Sequence, residues 1–348
     1  MKISHTVNEA LQSPNIVAKQ LQENQVVWQA LCRRLKKVSI PFALTVARGS
    51  SDHAATFAKY LLEIQLGLTT ASAAPSVVTL YHSRQQLKNC LVLALSQSGE
   101  SPDICEVLAT ARQQGAITVA LVNQVNSQLA NIAEYVVPLW AGEEKSVAAT
   151  KSYIAMLTAL LQGSAIASDN VPLLNCLNQL PDLLHASCQM NWSIALEKLH
   201  DQQDLLIIGR GYGFPVALEA ALKCKETAAL HAEAFSSAEV QHGPLALVHR
   251  CFPLFLFCQN DVTFSGNVAL VRRLHSLDSR VLLALPKNLE SAELLKLATV
   301  LPLPVSVHPM MDPVMAIQAF YLWVAELAIR RGYNPDQPAN LQKITKTR

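Results

Sequence analysis

Two rhythms of apolar and polar positions alternate along the chain. Short, nearly unbroken apolar runs recur: Phe42 to Val46, Cys90 to Leu95, Ile117 to Val122 and Tyr135 to Leu139, then Asp204 to Gly209, Phe252 to Phe257, Val281 to Leu285 and about Val300 to Val305. Runs of this length and character are the pattern of strands buried on both faces. Between them the spacing turns helical. The pattern predicts helices over 16–35 (behind Pro14), 52–63, 102–114, a short one near Ser127, 147–167, one from Pro215 and 313–331. In 102–114, for example, Ile104, Val107, Leu108 and Ala111 fall on one face. Strands alternating with helices of these lengths predict an α/β fold with mostly parallel sheets sandwiched between helices.

The scheme runs twice. Ala47-Arg-Gly-Ser-Ser51 and Gly209-Arg-Gly-Tyr-Gly213 each follow a buried strand and precede a helix, which points to a duplicated domain. The stretch from Asp169 to His200, with Pro172 and Pro181, reads as a helical connection between the halves. The predicted organisation is N-terminal helices over 1–36, a first α/β domain over 37–190 and a second over 191–348.

Composition narrows the classes. Of 348 residues 51% are hydrophobic and 16% charged, enough to bury a large core and an oligomer interface. The net charge of +2, with no basic run, argues against nucleic acid as a partner. Met1-Lys2-Ile3-Ser4-His5 lacks the apolar core of a signal peptide, and no window approaches the roughly 18 unbroken apolar residues of a membrane span. The eight cysteines are scattered without a CxxC pair; Cys90, Cys251 and Cys258 fall in apolar runs and read as reduced core residues of a cytoplasmic protein. Neither a disulfide framework nor a metal site is expected.

The chemistry centres on Ala94 to Ile104, where Ser96-Gln97-Ser98-Gly99-Glu100-Ser101 lies between a buried strand and a helix opened by Pro102. Such a turn suits a phosphate monoester: helix-start amides point outward, the helix dipole favours an anion, and short hydroxyls donate without crowding. A serine-rich capped helix start also fits, but it uses one serine and Pro102 and does not need three hydroxyls.

Four stretches occur in order: Gly49-Ser50-Ser51; Ser96 to Ser101; Ser146-Val-Ala-Ala-Thr150-Lys151; and Ala217 to Glu226, running on to His231-Ala-Glu233 and Glu239-Val-Gln-His242-Gly-Pro. Together they resemble the SIS (sugar isomerase) family. More narrowly they resemble its aminosugar-phosphate branch, the isomerase half of glucosamine-6-phosphate synthase and the related deaminases. The resemblance runs from about residue 40 and includes the ending Asp336-Gln-Pro-Ala-Asn-Leu-Gln-Lys343. It implies two SIS domains and a homodimer, with no cofactor. Ser51, Ser96, Gln97, Ser98 and Ser101 would hold a hexose 6-phosphate through its phosphate, and Gly49, Ser50, Val147 and Ala149 would face the sugar. Ala149 replaces a serine of the synthase, and Arg48 stands where the synthase has a small polar residue or cysteine.

The resemblance also assigns Glu226, His242, Lys343 and Lys223 to catalysis. Aldose–ketose interconversion needs a base that moves a proton between C1 and C2, and a partly desolvated carboxylate such as Glu226 suits it. Taken on spacing alone, Glu226 would read as a helix carboxylate paired with Lys223. Ring opening needs a group that exchanges protons near neutrality, and His242 fits; in related dimers it reaches the neighbouring subunit's site. His231 and Glu233 are expected to support the site or dimer contacts. Lys343 corresponds to a lysine that forms an imine with the ketose in the synthase. The chain reaches its first strand by about residue 42, so no ammonia-producing glutaminase domain is expected. The expectation is therefore glucosamine 6-phosphate deamination to fructose 6-phosphate. The alternatives are galactosamine 6-phosphate deamination to tagatose 6-phosphate, deglycation of a fructosamine 6-phosphate, or a non-catalytic sugar-phosphate sensor.

Overall fold

The computed structural model describes residues 4–343. The extreme ends of the predicted N-terminal helices and of the second predicted domain, 1–3 and 344–348, lie outside the described residues. Two compact units emerge. One comprises Asn15–Glu144, Lys151–Asn178 and the tail from Gln342; the other comprises the N-terminal residues to Pro14, Lys145–Thr150 and Gln179–Leu341.

The first of these carries a parallel sheet of β1 (Ala43–Val46), β2 (Thr70–Ser72), β3 (Leu91–Ser96), β4 (Ile117–Val122) and β5 (Tyr135–Pro138), in the order β2-β1-β3-β4-β5. Successive β3 residues serve opposite layers, as the period of two in a strand requires. Val92 and Ala94 pack with Ile104, Val107, Leu108 and Ala111 of helix Pro102–Gln113. Leu91 and Leu93 face Trp28, Leu61 and Leu160, from helices Gln25–Leu35, Ser50–Leu66 and Lys151–Ala167.

The other unit repeats the plan with β6 (Asp204–Gly209), β7 (His231–Ser236), β8 (Pro253–Phe257), β9 (Arg280–Pro286) and β10 (Thr299–Leu303), ordered β10-β9-β8-β6-β7 and again parallel. Leu206, Ile208, Leu254 and Leu256 pack with Leu270, Val271 and Leu274 of helix Phe264–Ser276. On the other face Phe255 meets Phe320 of helix Asp312–Arg330 edge to face, with ring centroids 5.6 Å apart. That 19-residue helix is apolar enough to span a membrane by composition, yet 83% of its apolar window is buried, as for a core helix. Each half, numbered from its own first strand, has the order 2-1-3-4-5, so the duplication inferred from the two glycine loops extends to the whole topology.

Departures from the sequence pattern have local causes. The predicted helix over 16–35 is two helices, Ser13–Glu23 and Gln25–Leu35. They part at the buried Asn24, whose side chain donates to Pro138 O (2.8 Å) and accepts from Trp140 Nε1 (2.9 Å). The helix expected from Val147 begins at Lys151. Upstream, Ser146 N donates to the Glu9 carboxylate at 3.2 Å and Val147 N to Asp336 O at 3.2 Å, so those amides are spent outside any helical ladder. All eight cysteines are free thiols. Cys251 is a correction: it is exposed, on a turn with φ of 63°, and does not belong to the core. Cys90 and Cys258 are buried as expected, and burial pushes the Cys258 thiol up to about 12.

Candidate functional site

With the order β2-β1-β3-β4-β5, β1 and β3 lie side by side while their connections lead to opposite sides of the sheet. The carboxyl ends of such a pair form the crevice in which open α/β sheets bind ligands. The two loops at that point are Ala47–Gly49, leading into helix Ser50–Leu66, and Gln97–Ser101, leading into helix Pro102–Gln113. The second loop turns at Gly99 with φ of 69°. A Cβ there would lie 2.6 Å from Ser127 Cβ and 2.8 Å from a Val122 methyl, so only glycine fits.

Within the loop Ser96 Oγ accepts from Gly99 N (3.0 Å) and Ser98 Oγ accepts from Glu100 N (3.3 Å). Both hydroxyls hold the turn while keeping their own protons to donate. Ser101 begins the helix without capping it, and among the described residues neither its hydroxyl nor that of Ser51 has a hydrogen-bond partner. The two loops are joined by Arg48, whose Nε and Nη2 donate to Asp103 Oδ2 at 2.9 and 2.8 Å.

A cavity of about 400 Å³ opens beside this loop, lined by Gln97, Ser98, Glu100, Gln124, Asn126, Ser127, Glu143, Glu144 and Lys343. Three of the residues singled out in the sequence (Gln97, Ser98 and Lys343) thus share one space, whereas Ser51, Ser96 and Ser101 are not in its lining. Lys343 Nζ lies 3.1 Å from Glu144 Oε2, and the Glu144 side chain is fully buried. Glu144 also accepts from Ser152 Oγ (2.7 Å) and Ser152 N (3.2 Å), which ties off the start of helix Lys151–Ala167. Sequence reasoning overlooked Glu144; the available signal was the pair Glu143-Glu144, one residue ahead of the Ser146-to-Lys151 motif.

In the other unit a row of charges runs along helix Phe214–Ala228. Lys223, almost wholly buried, touches Glu226 and lies 3.5 Å from Glu219 Oε1, which also accepts from Tyr321 Oη at 3.0 Å. Glu219 and Lys223 are sealed, and Glu226 is 20% exposed, so the row presents one carboxylate outward. Glu219, one turn before Lys223, is another member that sequence reasoning missed.

His242 is exposed at the end of a short 3-10 turn, Glu239–His242, and makes no hydrogen bond to this row among the described residues. His231 pairs instead with Asp204 across neighbouring strands at 2.9 Å, both side chains well exposed, and Glu233 is an exposed residue of β7. Val147 and Ala149 sit half-buried in the segment held by Glu9 and Asp336; Asp336 also accepts the His5 and Thr6 amides at 2.8 Å.

At the second sheet's equivalent crevice, beside a cavity of about 420 Å³ lined by Arg210, Gln241 and Thr263 among others, side chains bridge the two loops. Asp261 Oδ1 accepts Thr263 N (2.8 Å) and Oγ1 (2.5 Å) at the start of helix Phe264–Ser276, and Gln259 Nε2 donates to Arg210 O (2.7 Å) and Asp261 Oδ2 (3.0 Å). A carboxylate of the chain thus occupies the helix start where an anion would bind. In the first sheet the corresponding helix start combines serines with the Asp103 carboxylate, which accepts from Ile104 N at 2.9 Å.

The SIS domain family matches residues 43–163 and 198–292, more than half of the chain. Glutamine–fructose-6-phosphate aminotransferase (isomerizing) of Thermus thermophilus is 31% identical over 311 residues, 86% of this chain and 51% of that protein; the Thermotoga maritima enzyme is 35% identical over 312 residues, 86% of this chain and 50% of that protein. The chain therefore spans about half the length of these curated relatives. Among solved structures, a Silicibacter pomeroyi protein provisionally named a phosphosugar isomerase superposes with a TM-score of 0.89 at 35% identity, over 96% of this chain and all of that one. The Thermotoga maritima glucosamine-6-phosphate deaminase shares the fold, with a TM-score of 0.76 at 23% identity over 99% of this chain and all of that one. With both halves matched and the duplicated 2-1-3-4-5 sheets in place, this chain belongs to the SIS domain family.

Proposed function

We propose that this chain is an aminosugar-phosphate isomerase of the deaminating kind, converting glucosamine 6-phosphate and water to fructose 6-phosphate and ammonia. The observation that carries the reading is the Glu219–Lys223–Glu226 row. A lysine sealed between carboxylates is costly to bury and contributes little net stability over an apolar replacement, which favours a functional reason for it. Its outward end, Glu226, is a fixed carboxylate suited to proton transfer.

In the proposed sequence the Ser96–Ser101 loop and Ser51 hold the phosphate. The pyranose opens with His242, supplied by a second copy of the chain, exchanging the proton. Glu226 takes the proton from C2 and returns it at C1, leaving an imine at C2. Water adds to that imine, the C–N bond breaks, and ammonia leaves. Lys343, docked on Glu144, is assigned to the open-chain sugar; to attack a carbonyl its amine must give up a proton, and Glu144 is the carboxylate in contact to take it. Deamination needs only water besides the substrate, so the groups named suffice for it.

The test measures ammonia and fructose 6-phosphate together from glucosamine 6-phosphate, with galactosamine 6-phosphate in parallel and Glu226→Gln as control. Equal yields of both products, lost in the variant while substrate still binds, are expected. Binding without ammonia release by the unaltered chain would overturn the reading.

A further inference from the structure

We propose that Arg48 is the charged ligand of the substrate phosphate and that Asp103 is the residue that positions it; this rests on the reading of the site as one for a hexosamine 6-phosphate. The argument begins with the strand order. Because β1 and β3 are neighbours whose connections diverge, the loops past their ends face one crevice, and Arg48 of the first loop is joined to Asp103 in the first helical turn after the second. Asp103 has no exposed side-chain surface. Its Oδ1 accepts from Ile104 N at 2.9 Å, and its Oδ2 takes both the Nε and Nη2 donors of Arg48. The carboxylate is thereby fixed at the first turn of its helix, and it fixes one edge of the guanidinium.

The other edge is open. The Arg48 side chain keeps 52% of its surface exposed, and among the described residues its remaining N–H groups meet no protein acceptor. A guanidinium has five donors in a planar fork that matches phosphate oxygens, and two of them are used here to aim the rest. The crevice needs that charge. Residues 47–53 and 96–103 contain Asp52, Glu100 and Asp103 as acids, with Arg48 as the only residue among them that is always cationic, and Lys343 beside the second loop is already paired with Glu144. Glu100 is turned toward Gln128 N, which donates to it at 3.2 Å, and burial pushes the Asp52 carboxyl above its usual range while Arg48 and His53 oppose the shift. Serine hydroxyls and helix-start amides supply geometry; Arg48 supplies the charge to match a phosphate dianion.

The test uses Arg48→Met, Arg48→Lys and Asp103→Asn in the full chain. It reads kcat and KM on glucosamine 6-phosphate and, separately, inhibition and thermal protection by inorganic phosphate. Losing a hydrogen bond to a charged group predicts that Arg48→Met raises KM and the phosphate inhibition constant together, by about tenfold to a hundredfold. With uniform binding lost, kcat stays within about threefold. Arg48→Lys recovers only part, because one ammonium cannot hold Asp103 and present a fork. Asp103→Asn shifts both constants in the same direction by less, and adds little when combined with Arg48→Met.

If the phosphate inhibition constant is unchanged in a folded Arg48→Met protein that still turns over the sugar, Arg48 is not the ligand and the deaminase reading stands. If the unaltered chain turns over no hexosamine 6-phosphate but loses phosphate protection on Arg48→Met, the reading of the reaction falls and the anion site remains.

Discussion

Asp312 offers a test of the folded state that depends on a single proton. It opens helix Asp312–Arg330 and is 1% exposed; its Oδ2 accepts Asn260 N (2.8 Å) and Ser306 Oγ (2.9 Å), while Oδ1 is buried without a hydrogen-bond partner. Burial, with Asp261 nearby adding repulsion, pushes its carboxyl from 3.8 up to about 7, against the two hydrogen bonds that favour the anion. The folded chain therefore holds this proton more tightly than the unfolded chain does. The stability it contributes is fully present below pH 3.8 and is lost as pH rises through about 7. At 1.36 kcal/mol per unit, the rise amounts to about 4 kcal/mol at pH 8 and well under half of that near pH 5.

Asp312→Asn imitates the protonated acid: its amide oxygen can accept from Asn260 and Ser306, and it never ionises. The variant should match the parent near pH 4 and exceed it in urea midpoint by a margin that widens up to about pH 7 and is then flat. Circular dichroism at pH 4.5, 6 and 8 would read this. A margin that does not change with pH would refute the reasoning, because a packing effect has no proton in it.

Three further outcomes are expected. Replacing Lys223 by Met strips the cation from the buried Glu219 and should cost about 3–5 kcal/mol in denaturant unfolding, whereas Glu219→Gln combined with Lys223→Met should recover most of it. Gly99→Ala forces a methyl against Ser127 and Val122 at a positive φ, and should cost about 1–3 kcal/mol and abolish thermal protection by phosphate. Glu144→Gln removes the partner charge of Lys343; the tail should then be cut faster by a lysine-directed protease after residue 343, with the rest of the chain equally resistant.

Legibility from sequence followed burial. The central strands β1, β3, β4, β6, β8 and β9 are buried along most of their length and read as apolar runs, so each lies within a residue or two of its expected position. The edge strands β2 and β7 did not stand out. Thr-Ala-Ser and His-Ala-Glu-Ala-Phe-Ser expose much of one face at the sheet margin and lack the apolar run that burial imposes. Helix Phe264–Ser276, between two strongly apolar strands, is not among the elements that the apolar pattern predicts. The long helix starts at Lys151 and not at Val147 because what occupies the amides of Ser146 and Val147 is Glu9 and Asp336, which are far away in sequence.

The candidate site divides in the same way. Local sequence determined the serine loop, its obligatory glycine and the i, i+3 pairing of Lys223 with Glu226, since each is written within a few neighbouring residues and depends on backbone geometry that neighbours set. Tertiary structure decided that Arg48 meets Asp103, that Lys343 rests on Glu144, and that Gln259 bridges Arg210 and Asp261 across the second sheet's loops. Each of these depends on which strands lie side by side and on which loop folds back. That choice is made by packing whole sheets and helices, and no local run of residues encodes it.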